Sequence, residues 1–123
     1  MAPSQLSIAT GSVSRLVKEE SYYRKELAQQ KEKLAQEKQS LGPDADYNDN
    51  FMIKQMETAI QETERVFAPL RVKIDEAVRK LEEQLALSES NEHTSEEDLK
   101  KANEALESAK TLQTLQNGAE VAE

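Results

Sequence analysis

Apolar residues recur along the chain in steps of three and four, in three runs separated by two polar stretches. The first run opens at Ser12 with Val13, Leu16, Val17, Tyr23, Leu27, Leu34 and Leu41. Positions 16, 20, 23, 27, 30, 34, 37 and 41 follow the heptad rhythm of helices packed at a shallow angle, although Glu20, Gln30 and Glu37 interrupt the stripe. This predicts a helix over about 12–41. Residues 1 to about 11 show no periodicity and are expected frayed or extended. LGPDADYNDN ends the helix, with Gly42 suited to a C′ position and Pro43 unable to continue. The second run, Ile53, Met56, Ile60, Thr63, Phe67, Leu70, Ile74, Ala77, Leu81 and Gln84, predicts a helix over about 48–87, or roughly 60 Å of length. Asp46, Asn48 and Asp49 can cap its start. After SESNEHT, a capping box opens the third helix, about 95–116: Thr94 with Glu97, or Ser95 with Asp98. Its stripe is Leu99, Ala102, Leu106, Ala109 and Leu112, and Ala102, Ala105 and Ala109 allow close approach to neighbours. Asn117-Gly118 is expected to end it, leaving 117–123 as a disordered tail.

Two short linkers between three helices imply an up-down-up arrangement. Stripes about two residues wide per heptad suit thin elements. The expected fold is all-α: an elongated, antiparallel, spectrin-like three-helix bundle in one domain, 1–116. Pro69 stands inside the second helix, in ERVFAPLRVKI. It lacks an N–H and crowds the Arg65 carbonyl, a cost of roughly 3 kcal/mol in a helix interior. A kink at Pro69 is therefore expected.

Composition agrees with thin helices. Of 123 residues 37% are hydrophobic, 33% are charged, three are Gly and none is Trp. The lack of Cys removes thiol chemistry, disulfides and the usual zinc sites, and fits a reducing compartment. MAPSQLSIATGS has no apolar h-region and no stretch approaches 18 apolar residues, so a soluble cytoplasmic protein is expected. A net charge of −8 argues against nucleic acid and against an acidic membrane surface as partners.

Candidate chemistry is sparse. His93, the single histidine, lies in the polar second linker and reads as an exposed loop residue. The carboxylates of EESYYRKE and KLEEQ lie near Lys and Arg at helical spacing, as on solvated faces. No phosphate loop, EF-hand or HExxH pattern occurs, so neither catalysis nor a cofactor or metal is expected. Of the adjacent Tyr22 and Tyr23, Tyr23 is on the stripe and Tyr22, about 100° away, lies at its edge or outside. There it either meets a partner or shields a flank. Basic residues cluster locally as Arg15, Lys18, Arg24 and Lys25, and as Arg65, Arg71, Lys73, Arg79 and Lys80 around and after Pro69. They either pair with carboxylates or present a partner-binding surface.

TGSVSRLVKEESYYRKELAQQKEKL, residues 10–34, resembles the first helix of the tubulin-binding cofactor A family. The resemblance rests on Thr10-Gly11, Val13, Arg15-Leu16-Val17-Lys18-Glu19, Tyr23, Lys25-Glu26 and Gln29-Gln30. It continues in Ile53-Lys54-Gln55-Met56-Glu57, Ile60-Gln61-Glu62, the proline at 69 and a leucine-rich stretch ending in Glu82 and Glu83, and covers roughly 6–112. It thins in the third helix, and the SESNEHTSEED linker is longer than the family's.

The resemblance implies a three-helix bundle that captures quasi-native β-tubulin after chaperonin release. Such a protein hands it on toward αβ-tubulin assembly through cofactor D, holds unpaired β-subunits in reserve, and hydrolyses no nucleotide. Expected partners are β-tubulin and other tubulin-folding cofactors, the location is cytoplasmic and tied to the microtubule cytoskeleton, and both monomer and homodimer are open. Both partners would be acidic, so local basic residues must carry the contact: Arg15, Lys18, Tyr22, Arg24 and Lys25, with Arg71 and Lys73 beside the bend. Pro69 would then either set the curvature of the binding surface or stand as a tolerated kink with no binding role. A structural or adapter coiled coil acting by self-association is the alternative. A prefoldin-like subunit fits less well, because LGPDADYNDN is too short and polar to supply its β-hairpins.

Overall fold

The structure, a computed structural model, describes residues 4–91 and 93–121, with the side chains of 116–121 excepted. Its regular structure among these residues is three α-helices, α1 (Gln5–Ser40), α2 (Tyr47–Glu89) and α3 (Glu96–Val121). Each starts where a side chain satisfies the first free amides. Ser4 Oγ accepts from the Ser7 amide at 3.0 Å. Asp46 Oδ1 accepts from the Asp49 amide at 2.8 Å while Asp49 Oδ2 accepts from the Asp46 amide at 3.1 Å, a reciprocal box. Ser95 Oγ accepts from the Asp98 amide at 3.1 Å, the second of the two registers expected for α3.

Three boundaries depart from the sequence reading. Residues 5–11 are helical, not frayed, because Ser4 caps them and Leu6 is buried seven residues before Val13; residues 1–3 lie outside the described residues. Gly42 does not take a positive φ. The end of α1 is closed instead by the Leu41 amide and Ser40 hydroxyl, both donating to the Glu37 carbonyl. The backbone of α3 continues through 117–118 to Val121. A glycine costs a helix about 1 kcal/mol but does not forbid it. Residues 122 and 123 of the expected tail lie outside the described residues.

Packing divides the chain into two compact units, one formed by residues 1–19 with 70–123 and the other by 20–69. The division falls within α1 and α2, on α2 directly after Pro69. In the first unit three helix segments meet. Leu6 and Val13 from α1, Leu70, Ile74, Val78, Leu81 and Leu85 from α2, and Ala102, Ala105, Leu106, Ala109 and Leu112 from α3 are buried. Burying one such large aliphatic side chain stabilises by about 1.5–3 kcal/mol. The alanines of α3 stand where larger side chains would hold the helices apart. Gln113 Nε2 donates to Asp75 Oδ1 at 2.6 Å and Lys110 Nζ lies 4.0 Å from Glu82, so α3 runs antiparallel to α2.

In the second unit only two segments pack, 20–40 of α1 and 47–69 of α2. Each apolar stripe has one neighbour within the unit rather than two. Ile60 and Thr63 are buried, while Tyr23, Leu27, Leu34, Leu41, Ile53, Met56 and Phe67 remain half-exposed. Lys38 and Glu57, 3.9 Å apart, bridge the two segments.

Candidate functional site

The candidate surface consists of the exposed basic and aromatic side chains of α1 and α2. In the first unit Arg15 and Lys18 are exposed on α1, three positions apart and so on adjoining faces. Lys18 lines a groove of about 400 Å³ between α1 and α3, with Thr10, Ser14, Lys101 and Ser108. Lys73 lies in a different groove, between α1 and α2, with Ile8, Leu16, Ala77 and Lys80. Arg71 is half-buried on α2. The structure thus brings Arg15 and Lys18 together but sets Lys73 apart from Lys18.

In the second unit Tyr22 is 64% exposed, with its ring edge-on to that of half-buried Tyr23 at a centroid distance of 5.5 Å. Tyr23 therefore belongs to the packed stripe and Tyr22 stands outside it. Lys25, three positions from Tyr22, is exposed. Arg24 is held from below by Glu20: its Nη2 and Nε donate to Glu20 Oε1 at 2.6 and 3.1 Å. Glu20 itself is only 1% exposed, and its Oε2 has no hydrogen-bond partner among the described residues. Pro69 is exposed, and α2 is helical on both sides of it.

The sequence reading treats Glu20 as a flaw in the α1 stripe. It is a core position of the same line as Leu6 and Val13, filled by a carboxylate that spends one oxygen on Arg24. The signal was present as an i,i+4 Glu–Arg pair with Glu on the stripe. His93 is exposed, and its amide donates to Asn91 Oδ1 at 2.9 Å within the α2–α3 loop. Among the described residues no group of three or more His, Asp or Glu is arranged to hold a metal ion. None of their helices is long and apolar enough to cross a membrane.

Residues 1–106 match the family model of tubulin binding cofactor A. Tubulin-specific chaperone A of Saccharomyces cerevisiae is 33% identical over 112 residues, covering 91% of this chain and 96% of the yeast protein. Among solved structures, tubulin folding cofactor A from Arabidopsis thaliana superposes with a TM-score of 0.72 at 25% identity, over 86% of this chain and 92% of the plant chain.

Proposed function

This chain belongs to the tubulin binding cofactor A family, and on that premise we propose that it is a non-catalytic chaperone that captures and holds β-tubulin. It receives the quasi-native subunit after chaperonin release and passes it on toward αβ-tubulin assembly, in the cytoplasm, meeting other tubulin-folding cofactors on the way. A role in tubulin folding follows from the family; selectivity for the β-subunit is the finer reading. The observation that carries the tubulin-folding role is the match over residues 1–106, which spans α1, α2 and the first part of α3.

The contact falls to the basic and aromatic side chains that α1 and α2 leave in water. Arg15, Lys18, Lys25 and Lys73 are exposed cations, and Tyr22 offers a largely exposed ring beside that of Tyr23. Tyrosine and arginine are the residue types favoured at protein contacts, where the ring fills a pocket and the cation fixes orientation. Arg24 contributes through its outward face, because its inner donors are on Glu20. Arg71 is the least accessible of the set.

A native-gel shift tests the reading. Labelled β-tubulin freshly released from chaperonin is run with the chain, beside α-tubulin and the intact αβ dimer. A discrete new band with β-tubulin alone is expected; equal bands with all three would sink the β-selective reading. Lys25→Glu is the cleaner probe of the α1 surface than reversal at both Arg24 and Lys25, because Arg24→Glu would also set a second carboxylate against buried Glu20.

A further inference from the structure

The α1–α2 loop and the first turns of α2 carry a surface unlike the basic one. Tyr47 is 79% exposed, Phe51 52% and Met52 42%, three large apolar side chains within six residues. Tyr47 and Phe51 stand one helical turn apart and their rings stack, centroids 6.4 Å apart and planes within 15°. They do not belong to the seam of the hairpin, which Ile53, Met56 and Ile60 supply. Nor does the helix start require them: Asp46 and Asp49 cap it by their own reciprocal bonds.

Charge around the rings is mostly negative. Asp44, Asp46 and Asp49 flank them, no Lys or Arg occurs from residue 39 to 53, and the nearest following cation is exposed Lys54, three positions after Phe51. The preceding cation, Lys38, is turned toward Glu57. Aromatic faces carry the negative lobe of the ring quadrupole, so stacked rings and carboxylates draw the same kind of group, a cation.

We propose that this loop end of the second unit is a docking surface for a positively charged segment of another polypeptide. A Lys or Arg of that segment lies over the Tyr47–Phe51 stack, a neighbouring apolar side chain rests against Met52, and the three aspartates hold the remaining cations at the rim. The surface is separate from the β-tubulin reading. It uses other residues and asks for a partner of opposite charge, so either can fail without the other.

The test titrates the full-length, nitrogen-15-labelled chain with a short synthetic peptide of alternating Arg and Leu. Control peptides carry Glu for Arg or Gly for Leu. Amide shifts concentrated over 44–53 are expected, with clearly weaker binding of both controls. Tyr47→Ser with Phe51→Ser should weaken the Arg–Leu peptide about tenfold, as loss of an aromatic anchor does. Asp44→Asn, Asp46→Asn and Asp49→Asn together should weaken it several-fold, and Asn caps a helix about as well as Asp, so that variant keeps its fold. Shifts scattered over carboxylates across the chain would overturn the proposal. So would unchanged affinity in the serine variant, or equal binding of the Gly peptide. Self-association in sedimentation that disappears in the serine variant would assign the surface to a second copy of the chain and equally defeat the proposal.

Discussion

Glu20 is the residue whose environment its type least favours. A carboxylate with 1% exposure sits on the α1 core line, balanced by a guanidinium that is itself 47% exposed. Removing the partner of a buried charge costs far more than removing both, because the survivor is left without compensation. Arg24→Met should therefore destabilise by about 1–3 kcal/mol, toward the low end because water reaches the guanidinium. Glu20→Leu should be near neutral or stabilising, and Arg24→Met should cost little in its presence. Urea unfolding of the two single variants and the double closes the cycle. If Arg24→Met costs the same in the Glu20→Leu background as in the parent chain, the pair has no coupling and Glu20 is held by something else.

Among the helices, the difference between two and three packing partners governs what the sequence could reveal. The α3 stripe of Ala102, Leu106, Ala109 and Leu112 is legible because those positions are wholly enclosed by the other two helices of the first unit. On α2 the same three-four rhythm catches Leu70, Ile74 and Leu81 but passes over Val78 and Leu85, which are buried because a second neighbour widens the covered face. The start of α1 was hidden by Ser7, Gly11 and Ser12, polar or small residues that mask the spacing from Leu6 to Val13. Tyr47 and Phe51 precede the α2 stripe, which opens at Ile53, and it is their exposure in the folded chain that shows them facing water.

The same difference predicts uneven opening. With few fully buried side chains, the hairpin of the second unit should exchange its amides on the order of tenfold or more faster over 27–57 than the first unit does over 74–85. Native-state hydrogen exchange followed by mass spectrometry reads this directly, and uniform protection along α2 would contradict it. Pro69 stands at the last position of that hairpin. It takes the amide that would bond the Arg65 carbonyl, so Pro69→Ala restores a helical bond and should stabilise by about 1–3 kcal/mol. We propose that the proline persists because it bends α2 to suit the client. A Pro69→Ala variant that is more stable and binds β-tubulin no worse would remove that role.

For the molecule as a whole, the governing quantity is a net charge of −8 set against local clusters of exposed cations. The proposed function implies an acidic client, so two negative proteins would have to meet through locally positive patches. At 0.01 M ionic strength the screening length is about 30 Å, and each partner feels the other's total charge, which repels. At 0.15 M it falls to about 8 Å, comparable with the spacing of neighbouring side chains, and the local contacts alone are felt. The association rate of β-tubulin should therefore rise between these conditions, the reverse of ordinary electrostatic steering. Lys25→Glu should slow association most at the higher salt, where the local patch is what the partner senses. Stopped-flow mixing of labelled β-tubulin with the chain across this range decides the matter. A rate that falls steadily with salt would mean that a basic face dominates even at long range, and net charge would then say little about how this chaperone meets its client.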